Sequence, residues 1–74
     1  MLRFTMQFER AIDRFKKVVQ MQPDNLEAVL SLAEAYERSG NNQQAVVWYK
    51  KSLPLINIPG LKEEVGKRIN ALSK

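Results

Sequence analysis

The sequence predicts an all-α domain of four short antiparallel helices. Three observations carry this. Apolar residues recur three and four apart along the whole chain, strand-like alternation occurs nowhere, and Pro, Gly and Asn divide the chain into four segments with tight connections. The 74 residues have room for one small domain.

In the first segment Phe4, Phe8, Ala11, Ile12, Phe15, Val18 and Val19 form a stripe about 120° wide at about 100° per residue. Thr5 is the expected N-cap, and Pro23 stops the helix because its ring cannot continue it. In "PDNLEA", Asp24 with Glu27 three residues later fits an acidic capping box that opens the second helix. Ser39-Gly40 closes it, glycine supplying the left-handed turn. Asn41 or Asn42 then caps a third helix bearing Ala45, Val46, Trp48, Tyr49 and Leu53, which Pro54 limits. "LINIPG" reads as a connector, with Pro59 suited to the first position of the fourth helix. There Leu61, Val65, Ile69 and Leu72 share one face, while Gly66 weakens the helix by about 1 kcal/mol and suggests close packing.

Composition removes whole classes of chemistry. The chain has no cysteine and no histidine. Disulfides, thiolate nucleophiles, Cys/His zinc sites and imidazole acid–base catalysis are therefore excluded. No catalytic residue, metal ligand or cofactor is expected. No apolar run approaches the roughly 18 residues that span a bilayer. Gln7, Glu9 and Arg10 break up the layout of a signal peptide, and the lack of cysteine suits a cytoplasmic setting. The net charge of +4 is unevenly placed. Five basic residues against two acidic make residues 3–22 carry +3, whereas one against four makes residues 24–38 carry −3.

The chain also repeats itself. At a shift of 34 residues, "RAIDRFKKVV" falls on "QAVVWYKKSL": Ala11 meets Ala45, Ile12 meets Val46, Phe15 meets Tyr49, and Lys16-Lys17 meets Lys50-Lys51. With Val29, Leu32, Ala33 and Tyr36, then Gly40, Ala45 and Tyr49, the chain resembles the tetratricopeptide repeat family, whose period is about 34 residues. The resemblance covers residues 8–53 and implies helical hairpins stacked as a short solenoid. The expected division is a half repeat over 5–22, a full repeat over 24–53 and a capping helix over 59–73.

The departures from that pattern matter as well. Val29 stands where the family often has Trp, and Asn57 falls where its Pro would recur. In the fourth helix Gly66, Lys67 and Asn70 replace the Leu-small-Tyr pattern, as suits a cap with one wet face. The first segment lacks a preceding partner helix, so the Phe4, Phe8, Ile12, Phe15 stripe is expected to lack part of its cover. It would then be the end of a longer array, a homo-oligomer surface, or a stripe that folds back on itself.

The second helix has two faces. With Glu27 at zero, Leu32, Tyr36, Val29 and Ala33 lie at about 140–240°, the core side. Glu27, Leu30, Ser31, Glu34 and Glu37 lie within about 80° of zero, and Arg38 lies on the same side. The resemblance implies that this side lines a concave peptide groove. Family members that clamp an acidic C-terminal tail do so with Lys, Arg and Asn, and glutamates here would repel such a tail. The expected partner is a protein or peptide of basic or mixed apolar character, met by Leu30 and the glutamates.

Other constellations carry less. Glu63-Glu64 and Glu34/Glu37 are carboxylate pairs without a nucleophile or oxyanion donor beside them. Trp48 with Lys50 and Lys51, extended by Lys16-Lys17, could stack a base beside phosphates, but lysines scattered over helices are more often a solvated surface. The reading is a non-catalytic protein-interaction module. A homo-oligomer through the Phe-rich first helix is the alternative, and a nucleic-acid adaptor ranks behind both.

Overall fold

Among the described residues four helices form, and Pro23, Gly40 and Pro54 end the first three. The structure, a computed structural model, describes residues 2–73, with side chains described from residue 7 to residue 73. Of the self-association candidates, Phe4 thus lies outside the described side chains. Helix α1 runs Leu2–Met21, α2 Leu26–Arg38, α3 Asn42–Ser52 and α4 Pro59–Leu72, with a single 3-10 turn at Leu53–Leu55. Thr5, the expected cap, lies inside α1 rather than at its start.

The first connection is a tight turn. The Asn25 N–H donates to the Gln22 carbonyl at 3.1 Å, which places Pro23 at the second turn position that its fixed φ favours. The cap of α2 is Asn25, whose side-chain oxygen accepts from the Ala28 N–H at 3.1 Å. This corrects the capping-box reading. Asp24 is used up in the middle of the turn, so the helix opens one residue later. The Asn25 amide also donates to the Gln22 side chain at 2.8 Å, fixing the cap's orientation.

The α2–α3 connection is tighter still. Gly40 adopts φ +90°, a conformation that residues with a Cβ resist. Around it the Gly40 N–H donates to the Glu37 carbonyl at 3.1 Å and the Asn41 N–H to the Tyr36 carbonyl at 2.9 Å. These are the two bonds of a Schellman motif. The Asn41 side chain then accepts from the Gln44 N–H at 3.2 Å and caps α3. One residue therefore ends α2 with its backbone and starts α3 with its side chain.

Pro54 stops α3 as expected, and the chain tightens into the 3-10 turn before leaving. The connector that follows does more than connect, because Ile56 is buried in the core. Pro59 occupies the first turn of α4.

Consecutive helices pack in order: α2 against α1 and α3, and α4 against α3 and the 3-10 turn. The result is a slab 37 × 31 × 15 Å. At its centre Leu32, Ala33 and Ala45 are 0% exposed, joined by Val29, Tyr36, Tyr49, Val65 and Ile69. Alanine at positions 33 and 45 is what lets α2 and α3 approach, and the larger side chains fill the gaps beside them. Ser52 is also fully buried, and its hydroxyl donates to the Tyr49 carbonyl at 2.6 Å, so it carries no unmet polar group. Gly66 corrects an expectation. A Cβ there would meet nothing within 4 Å, so close packing is not what the glycine provides.

Candidate functional site

The outer side of α2 follows from its core side. Once Val29, Leu32, Ala33 and Tyr36 are committed to packing, the helical period turns Glu27, Leu30 and Glu34 outward. Glu27, Glu34 and Arg38 are exposed, whereas Leu30, Ser31 and Glu37 are half-buried. The structure does not gather these six residues into one surface. It divides five of them among three settings, and Glu27 lies outside all three.

The first is a cleft of about 170 Å³ between α2 and α4, above the Tyr49 ring. Leu30 and Glu34 form one wall, and Leu61, Glu64, Val65 and Arg68 the other. Its apolar residues lie inside and its carboxylates at the rim. The residues contributed by α4 were missed in the sequence, although the repeat contains the signal. Shifted by 34, Leu61, Glu64, Val65 and Arg68 fall on Glu27, Leu30, Ser31 and Glu34.

The second setting holds Glu37, whose carboxylate turns inward. The Tyr49 hydroxyl donates to it at 2.8 Å, Arg68 Nη1 donates to that hydroxyl at 3.3 Å, and the Arg68–Glu37 ion pair spans 3.7 Å. Three helices are thus joined by one polar chain. Burial pushes the Tyr49 phenol up to about 12; Arg68 opposes that shift, and the Glu37 carboxylate adds to it. The hydrogen bond to Tyr49 in turn raises the Arg68 guanidinium above its usual range. The Arg68 guanidinium also lies 5.9 Å from the Tyr49 ring centre.

The third is a slot of about 240 Å³ between α1 and α2. Phe8, Ala11 and Phe15 line it from α1, and Ser31, Glu34, Ala35 and Arg38 from α2. Arg38 reaches back to Glu34 at 3.9 Å, an exposed pair that leaves both groups in water. Phe8, Ile12 and Phe15 are all half-buried, and Val19 is the one residue of the α1 stripe, among those described, that is buried.

The remaining candidates lie apart from these. The Lys51 ammonium sits 4.3 Å from the centre of the Trp48 ring, over one of its faces, and Trp48 packs against the core. Lys16 lies 6.0 Å from the Tyr36 ring centre, and Lys17 pairs with Asp13 at 3.5 Å. Among the described residues, no group of His, Cys, Asp and Glu is placed to hold a metal ion, and no helix is long and apolar enough to cross a membrane.

Comparison with protein families matches residues 7–54 to a model described as a tetratricopeptide repeat. Comparison with curated proteins and with solved structures returns no match.

Proposed function

The chain belongs to the tetratricopeptide repeat family, which generally mediates protein–protein interaction without catalysis, and from that premise we propose that it binds a peptide segment in the cleft between α2 and α4. The observation that carries the proposal is the make-up of that cleft. Leu30, Leu61 and Val65 offer apolar contact, and Glu34 and Glu64 stand at the edge. Arg68, the one cation in the lining, is already engaged by Glu37 and Tyr49. The field left for a ligand is therefore acidic, and Glu27 one turn before Leu30 strengthens it.

A peptide with apolar residues flanked by Lys or Arg matches this arrangement. A C-terminal acidic tail does not, since its carboxylates would face Glu34 and Glu64 without a free cation to receive them.

An array of short peptides, basic-apolar at one extreme and acidic-tailed at the other, tests the reading. Basic-apolar members should bind the wild type and lose at least tenfold against the folded Glu27→Lys/Glu34→Lys variant. Stronger binding of acidic tails, or affinity unchanged by the double substitution, would sink it.

A further inference from the structure

The internal repeat allows the α1–α2 slot to be compared with its own counterpart, 34 residues further on. There Ala11 becomes Ala45, Phe15 becomes Tyr49, Ser31 becomes Val65 and Ala35 becomes Ile69. All four counterparts are buried: Ala45 at 0%, Tyr49 at 2%, Val65 at 5% and Ile69 at 9% exposed. They share one core cluster with Val29, Leu32, Ala33 and Tyr36 of α2. In the first half, Ala11, Phe15 and Ser31 are only half-buried, and the slot they line stands open. Over these four positions the surface is thus present twice among the described residues, once with α2 seated on it and once without, whereas Phe8 and Arg38 correspond to the exposed Asn42 and the half-buried Leu72.

The charges at the two places differ, and the difference states what would fit. In the filled copy, Glu37 of the seated helix meets the Tyr49 hydroxyl and Arg68. In the open copy those two positions are Phe15, which has no hydroxyl, and Glu34, whose exposed pair with Arg38 spans 3.9 Å. A carboxylate there would face another carboxylate and a bare ring. A Lys or Arg would displace the exposed Arg38 from Glu34 and lie over Phe15.

We propose that the slot between α1 and α2 is a docking site for an amphipathic helix of a partner protein, seated as α2 sits on α3, with its edge toward α4. Its inner face carries apolar residues at the spacing of Val29, Leu32, Ala33 and Tyr36, and a Lys or Arg replaces Glu37. The inference rests on the reading of the chain as a protein-interaction module, but it uses a second surface, which shares Glu34 with the cleft, and a different form of ligand. The α4 of a second copy fits less well. The α4 residues that correspond to Val29, Leu32, Ala33 and Tyr36 are Glu63, Gly66, Lys67 and Asn70, which offer no apolar face for the slot.

The test uses two synthetic peptides, each copying residues 24–40 of this chain and held helical by a lactam bridge on the outer face. One keeps the glutamate at position 37, and the other carries Glu37→Lys. Fluorescence anisotropy against the whole protein should show the lysine peptide binding about fivefold tighter, with the preference reversed by Glu34→Lys in the protein. Ala11→Arg and Ser31→Arg, each checked for fold by circular dichroism, block the slot from opposite walls and should abolish binding. Leu61→Lys, in the α2–α4 cleft, should leave it unchanged.

Equal affinity for the two peptides, or binding that survives both blocking variants, overturns the proposal. So does a concentration-dependent dimer in light scattering that Ala11→Arg dissolves, since a second copy then fills the slot. If Leu61→Lys removes helix binding, the slot proposal fails while the cleft reading stands. If helix binding is as expected but basic-apolar peptides bind nowhere, the cleft reading fails while the slot stands.

Discussion

The Tyr49 hydroxyl donates a 2.8 Å hydrogen bond to the Glu37 carboxylate, joining α3 to the outward side of α2 at the point where Arg68 arrives from α4. The contact has two sides. Tyr49 is almost wholly buried, so its hydroxyl needs a partner, and Glu37 is half-buried, so its carboxylate gains from a donor.

Tyr49→Phe keeps the ring and removes only that link. It should cost about 1–2 kcal/mol, because a bond to an ionised group is lost and Arg68 loses its acceptor. Urea unfolding at neutral pH measures it. A loss below about 0.3 kcal/mol would mean that water replaces the hydroxyl without penalty.

The same residue sets the alkaline limit. The fold holds Tyr49 as a neutral phenol up to about 12, whereas the unfolded chain releases that proton near 10. Between those values the unfolded state binds fewer protons, so stability falls with rising pH. The contribution is whole below about 10 and lost by about 12. The readout is the difference in stability between wild type and Tyr49→Phe, which should narrow across this window.

Two glycines should respond in opposite directions. Gly66→Ala adds a methyl where nothing stands within 4 Å and improves helix propensity, so it should stabilise by about 0.5–1 kcal/mol. Gly40→Ala forces a Cβ into φ +90° and should destabilise by about 1 kcal/mol or more. Thermal melts of the two variants should shift to either side of the wild type.

The caps distinguish neighbours of similar chemistry. Asn25→Ala removes the acceptor for the Ala28 N–H and should cost about 1 kcal/mol. Asp24→Ala, in the exposed turn, should cost less than about 0.5 kcal/mol. Equal losses in chemical denaturation would return the cap to Asp24.

The helices were legible because their signals are local. Periodicity places Val65 and Ile69 inward, and Pro54 ends a helix whatever surrounds it. Capping was less legible, since Asp24 and Asn25 can both cap and only the geometry after Pro23 decides between them. Ile56 escaped because a buried residue in a connector has no period to betray it. The division of the outer α2 face was hidden for a further reason. A helical wheel states which residues share a side, but Glu37 turns toward Tyr49 and Arg68 only because of how α3 and α4 lie beside α2. The repeat itself held more than a reading of α2 alone extracted, as Leu61 and Arg68 show.

Asn41 belongs to two helices at once, and this bears on how the molecule comes apart. Unravelling the end of α2 pulls the Asn41 N–H from the Tyr36 carbonyl and strips the start of α3 of its cap in the same event. The two helices cannot fray separately at this junction. They form one cooperative opening unit, so in native-state amide exchange the protons of Ala35 and Val46 should share a single opening free energy.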